Sequence, residues 1–147
     1  EDLWHTRART REFRSVAAGF GIEASCEVAD YTAAGGAEAT HRLLTGANPP
    51  TAIIYDNDLM AVSGLGAAQR LGVDVPGEVS MVAWDDSVLC ELVHPALTAL
   101  TRDVTAYGAH AARRLLDLAA GGDWGDRGEP MAVLTPRAST APPSRAR

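Results

Sequence analysis

Two cysteines, Cys26 and Cys90, are all the chain carries, and they form no CxxC pair. That gives no metal spacing, and two free thiols in a reducing compartment fit better than a disulfide framework. Positive charge is in deficit: the net charge is −6. Nucleic-acid surfaces need clustered basic residues to displace phosphate counterions, so no such surface is expected on this chain. Arg7, Arg9, Arg11 and Arg14 do cluster, but Glu12 interrupts them and helical spacing spreads them round a solvated helix face. The four histidines, His5, His41, His94 and His110, have no partners at metal spacing, so no metal is expected. No hydrophobic run approaches the roughly 20 residues of a membrane span, and no signal peptide is visible. GxSxG, HExxH, a phosphate loop and a dinucleotide fingerprint are all missing; Gly19–Phe20–Gly21 and Gly64–Leu65–Gly66 are too short to count. Nothing specific supports an enzyme, and no cofactor is implied.

What is present is a globular composition. Of 147 residues, 46% are hydrophobic and 22% charged, enough for one domain with a real core. The first residue is Glu1, which points to a chain trimmed, processed or cut from a longer one. The rest is organised around Pro50–Leu71, PTAIIYDNDLMAVSGLGAAQRL. Ala52–Tyr55 is an apolar run of strand length behind two prolines. Asp56, Asn57 and Asp58 follow, each able to cap a helix; Asp58 is the better cap and takes that role. Met60, Gly64, Ala67, Ala68 and Leu71 repeat at helical spacing, and Gly72 stands where the helix stops. This is a strand–turn–helix with three polar side chains at the strand's carboxyl end, where open α/β sheets bind ligands.

Around it, Phe13, Val16, Ala17 and Phe20 stripe a helix over about Thr6–Gly19. Cys26 and Val28 alternate with polar neighbours in SCEVAD, a short strand. Thr32 caps a helix through Leu44 that stops at Gly46. A turn around Pro76 and Gly77 leads to VSMVAW (Val79–Trp84), apolar nearly throughout, as a strand covered on both faces should be. Ser87–Leu92 is a short helical turn, and Leu97–Leu100 is extended. Asp103 or Thr105 caps a long helix to Ala120, striped by Val104, Tyr107, Gly108, Ala111, Ala112, Leu115, Leu118 and Ala119. Gly121–Glu129 is a loop, Met131–Leu134 a last strand, and the Pro-, Ser- and Arg-rich chain from Pro136 a frayed tail. Alternating strands and helices predict an α/β fold, a mostly parallel sheet with helices on both faces, built from four or five strands.

The candidate chemistry sits at strand ends. Asp85 and Asp86 follow the VSMVAW strand. One carboxylate accepts up to about four hydrogen bonds and so can fix two neighbouring hydroxyls; alternatively Asp86 caps the next turn and Asp85 is solvated. Asn57 offers donor and acceptor to a hydroxyl-rich ligand, or caps the helix. Trp84 can stack on a sugar ring, or belong to the core.

Several stretches together resemble one family. PTAIIYDNDLMAVSGLGAAQRLGVDVPGEVSMVAWDD is similar to the second half of the sensor domain of LacI/GalR-type transcription regulators: a PTA strand, an N-D-x-M-A helix start, a V-P-x-D/E-V-S turn and a strand ending in D-D. HPALTALTRDVTAYGAHAARRLLDLAAG resembles the family's crossover and following helix. Ser139–Pro143 resembles the close of R-x-S-T-A-P-P, and RTREFRSVAAGFGI the family's early helix. The resemblance implies a partial periplasmic-binding-protein-like (type I) domain. Residues 1–103 would be one lobe, incomplete at its start; 104–121 a crossover helix belonging to the other lobe; and 122–147 the return loop, last strand and tail.

The roles implied follow residue by residue. Arg9 matches an arginine that often contacts the effector, Asn57 the effector-contacting Asn, and Asp85 the Asp that binds sugar hydroxyls in many members. Trp84 takes the aromatic position before it. Arg102 stands where several sugar sensors carry Gln; it suits a phosphorylated or acidic ligand, or is a hinge-surface arginine. Family dimers imply subunit contacts at Met60, Gly64, Leu65, Ala68 and Leu89. The expected function is effector binding and dimerisation in a cytoplasmic regulator sensing a carbohydrate. DNA would be bound only through an upstream segment, and no membrane is involved. The alternative is the sugar-binding protein of an ABC transporter, with a hydrolase using Asp85 and Asp86 a distant third.

Overall fold

The structure, a computed structural model, describes residues 3–122 and 132–143. Among the described residues the sheet has four short strands in the order β1 (Ala52–Tyr55), β2 (Ser80–Ala83), β3 (Thr98–Thr101) and β4 (Val133–Thr135). The first three are parallel, with Ala52 opposite Ser80 and Val82 opposite Thr98; β4 runs antiparallel to β3, with Leu134 opposite Leu100. Five helices among the described residues accompany them: α1 (Trp4–Gly19), α2 (Ala33–Thr45), α3 (Asp58–Leu71), α4 (Leu89–Leu92) and α5 (Val104–Ala119). Apart from SCEVAD, the expected elements are in place with small shifts at their ends; Met131 lies outside the described residues, as do residues 123–130 of the expected loop.

The core lies between one sheet face and α3. Ile53, Tyr55, Met81, Ala83, Leu97 and Ala99 meet Ala61, Leu65 and Ala68 there, all buried. Alternation explains which strand residues are chosen: in β1 every second residue, Ile53 and Tyr55, points inward. On the other face Ser80 and Val82 are half-buried and Ile54 is exposed. VSMVAW is apolar on both faces, yet only one is fully covered, because an apolar run records what a strand can pack against rather than what reaches it.

Two glycines set how closely α2 approaches α3. A methyl group on Gly36 would lie 2.6 Å from the Met60 Cα, and one on Gly64 would lie 2.4 Å from the Tyr55 hydroxyl and 2.6 Å from Thr40 Oγ1. Between them the Thr40 and Tyr55 hydroxyls share a buried hydrogen bond of 2.8 Å, and Thr40 Oγ1 also donates to the Gly36 carbonyl at 2.8 Å. Burial pushes the Tyr55 hydroxyl up to about 12, so it serves here as a neutral group. Of the residues expected at a subunit contact, Gly64, Leu65 and Ala68 are buried inside the protomer, and Met60 is half-buried against α2. Leu89 does remain exposed.

Three local expectations fail. The α1 helix forms, but its stripe is not buried: only Ala17 is, and Phe20 is 78% exposed. SCEVAD forms no strand, and Val28 is 88% exposed. Alternation makes a strand only where an edge receives it, and among the described residues β1 pairs with β2 alone. The third failure is the tail. Ser139 is fully buried where β2 and β3 diverge: its Oγ donates to the Met81 carbonyl at 2.6 Å and accepts from the Thr98 amide at 2.8 Å, while the Met81 amide donates to its carbonyl at 2.9 Å. One serine thus supplies the ladder bonds that the parting strands cannot give each other. The chain through Ala141 is stitched to the sheet, where composition alone suggested fraying.

Candidate effector site

The carboxyl ends of β1, β2 and β3 carry the polar residues, as the strand–turn pattern predicted. At the end of β1, Asn57 is the N-cap of α3: its Oδ1 accepts from the Met60 amide at 2.8 Å. Asp58, expected as the cap, is the first helical residue instead, and its carboxylate accepts from the Leu59 amide at 2.7 Å. The Asn57 backbone is extended, the geometry a cap requires, whereas Asp58 has already turned into the helix. Asn57 Nδ2 donates to the Tyr31 carbonyl at 3.1 Å. Its amide therefore keeps one uncommitted N–H, and the residue does not line the cleft described below.

Asp56 organises the next layer. Arg9, reaching from α1, donates through Nη1 to Asp56 Oδ1 at 3.1 Å and to the Asp56 carbonyl at 3.2 Å. The Tyr31 hydroxyl donates to Asp56 Oδ2 at 3.0 Å and meets His5 Nε2 at 3.2 Å and the Thr6 hydroxyl. These bonds hold Tyr31 at a φ of 66°, a left-handed conformation that non-glycine residues seldom adopt. The Arg9 guanidinium lies over the Trp84 ring at 4.1 Å, a cation–π contact. One face of Trp84 is thus covered by Arg9 and is not open for a sugar ring.

The two aspartates after β2 part company. Asp86 is nearly buried and paired: Arg137 Nη1 donates to its Oδ1 at 2.8 Å and Nη2 to its Oδ2 at 3.0 Å, and the Thr101 hydroxyl donates to Oδ2 at 2.5 Å. The bidentate guanidinium holds the Asp86 carboxyl below the ordinary value, against the opposing effect of burial. Arg137 is raised reciprocally; it also reaches the Leu97 carbonyl at 2.8 Å and Glu91 at 3.2 Å. Asp85 is exposed, and no hydrogen bond or ion pair of its carboxylate occurs among the described residues. An acid–base pair needs two titratable carboxyls; here one is locked in an ion pair.

Arg9, Trp84, Asp85 and Arg102 line one cleft of about 410 Å³, together with Asp86 and Tyr107. The Arg102 guanidinium sits 5.4 Å from the centre of the Tyr107 ring. Four of the five expected ligand residues converge, and Asn57 stands behind them. Tyr31 and Arg137 were not singled out from sequence as site residues, and Asp56 was read only as a possible helix cap. Arg137 opens the R-x-S-T-A-P-P-like close and was legible as part of a motif, but nothing in the sequence says which carboxylate it meets. Among the described residues no group of three or more His, Cys, Asp or Glu can hold a metal, and no helix is long and apolar enough to cross a membrane.

Residues 1–140 match the family model described as the periplasmic binding protein-like domain. The chain belongs to that family. As a periplasmic binding protein-like domain it is similar to the HTH-type transcriptional regulator MalR of Streptomyces coelicolor, with 40% identity over 87 residues, 59% of this chain and 25% of that protein. Its fold matches the crystal structure of a LacI family transcriptional regulator from Bifidobacterium animalis with a TM-score of 0.93 and 42% identity, over 98% of this chain and 53% of that one. It also matches the transcriptional regulator CelR in complex with cellobiose, with a TM-score of 0.78 and 26% identity, over 95% of this chain and 44% of that one. The domain thus spans about a quarter of MalR and about half of the solved regulators. These matches bear out the resemblance to the LacI/GalR sensor domain and the periplasmic-binding-protein-like fold.

Proposed function

We propose that this chain is the effector-sensing and dimerising part of a LacI-type transcription regulator, and that it senses a sugar or sugar-like small molecule. The observation that carries the reading is the convergence of Arg9, Trp84, Asp85 and Arg102 on one cleft at the strand ends. The relatives named above are transcription regulators, and one was solved with cellobiose; they do not favour the transporter reading. Asp85 accepts two sugar hydroxyls and Arg9 donates with the N–H groups that Asp56 leaves free, while Asn57, behind the cleft, caps α3. A second lobe, to which residues 104–121 belong, closes over the ligand. Closure shifts a homodimer between DNA-competent and DNA-poor states, which requires unequal ligand affinity for the two. The dimer contact falls on the exposed apolar turn of Val88, Leu89 and Leu92. DNA is bound by a segment outside this chain, in the cytoplasm. We read the site as a binding site and the chain as no enzyme, in line with the transcription regulators it resembles.

The test is Asp85→Ala in the full-length regulator, read by release of operator DNA as candidate sugars are added. Loss of two charge-assisted hydrogen bonds should weaken the response by about a hundredfold or more, with the melting transition kept. An unchanged response would remove Asp85 from the site.

A further inference from the structure

The charges lining the cleft are not equally committed. Arg9 is engaged by Asp56 and by the face of Trp84. Asp86 is neutralised by the two parallel bonds from Arg137. Asp103, next in sequence to Arg102, spends its carboxylate on the Ala106 amide at 2.8 Å, capping α5. That leaves two charges of opposite sign. Asp85 has no side-chain partner, and Arg102 has Tyr107 but no ion pair among the described residues. They line the same cleft without forming an ion pair with each other.

A neutral sugar satisfies only half of this arrangement. Its hydroxyls can bond Asp85, but enclosing it strips water from the Arg102 guanidinium and returns no counter-charge. A ligand bearing both hydroxyls and an acidic group satisfies both ends, and guanidinium geometry matches a carboxylate or phosphate bidentately. We infer that the cleft is built for an anionic carbohydrate, a sugar acid or a sugar phosphate, with hydroxyls on Asp85 and the acidic group on Arg102. The inference rests on the sensor reading above and narrows its ligand class.

Calorimetric titration of the full-length protein with matched sets tests it: glucose, glucuronate and glucose 6-phosphate, then galactose, galacturonate and galactose 6-phosphate. At least one acidic member should bind about tenfold or more tighter than its neutral parent, and the preference should fall as salt is raised. Whether the carboxylate or the phosphate series wins tells the two acidic groups apart. Arg102→Gln, at an exposed position, should keep the fold, read by its melting transition, and erase the preference for the acidic member. Equal or tighter binding of the neutral parent overturns the inference while leaving a sugar sensor; so does an acidic preference that survives Arg102→Gln. Binding of no member of either set overturns both the inference and the sugar-sensor reading.

Discussion

Arg137 and Asp86 form the most enclosed ion pair among the described residues, with side chains 15% and 8% exposed. Removing the arginine leaves a nearly buried carboxylate with only Thr101 to bond it. Arg137→Ala should therefore destabilise the chain by roughly 3 kcal/mol, read from urea unfolding at neutral pH. Arg137→Lys should recover part of that, since an ammonium restores charge but not the two-pronged geometry. The pH dependence has a definite sign. The folded Asp86 carboxyl titrates below its unfolded value, so its contribution is complete above the unfolded value of about 4 and is lost as pH falls through the lower folded one. The gap between parent and Arg137→Ala should shrink below about pH 4. The cysteines give a second residue-scale expectation. Burial pushes the Cys90 thiol up to about 11, whereas Cys26 is exposed. A thiol reagent at pH 8 should modify Cys26 at once and Cys90 only after denaturant is added. At this scale the sequence was only partly legible. The polar triplet after β1 was visible, but cap and neighbour were exchanged, because Asn57 and Asp58 have similar capping strength and only the backbone turn separates them. The Arg137–Asp86 pair was out of reach, since its members lie 51 positions apart.

At the level of elements, the α2–α3 contact depends on missing side chains. Gly36→Ala would drive a methyl into the Met60 backbone, which cannot move as a side-chain tip can. It should cost about 1–3 kcal/mol in urea unfolding. Gly66→Ala is the contrasting case on α3: its methyl would meet nothing nearer than the flexible Arg70 guanidinium at 3.4 Å. There helix propensity governs, and the variant should gain up to about 1 kcal/mol. Similar costs at both glycines would mean that propensity rather than close packing sets the contact. Elements with local punctuation were readable: Thr32 caps α2 as expected, Asp103, one of two candidates, caps α5, and Gly72 ends α3 with a φ of 74°. Those depending on a remote partner were not. SCEVAD has a strand's alternation and no edge to receive it, and the stripe of α1 has the right period and little to cover it.

At the scale of the whole molecule, α5 is the outlier. It is capped by Asp103 and runs for 16 residues, yet none of them is buried; Leu115 and Leu116 are 68% and 69% exposed. Isolated helices of about this length are marginal in water, and most helix stability in proteins comes from burying an apolar face. Protection of the α5 amides should therefore reflect helix–coil fraying alone. The α3 amides, backed by Leu65, Ala68 and the sheet, should open only with the core. Hydrogen exchange on this chain should show α5 exchanging about a hundredfold or more faster than α3. If α5 belongs to a second lobe, as proposed, the same amides should become protected in the full-length regulator while those of α3 change little. Equal protection of the two helices in this chain alone would mean that α5 finds its cover here, for instance on a second copy, and would remove it from the lobe that closes over the ligand.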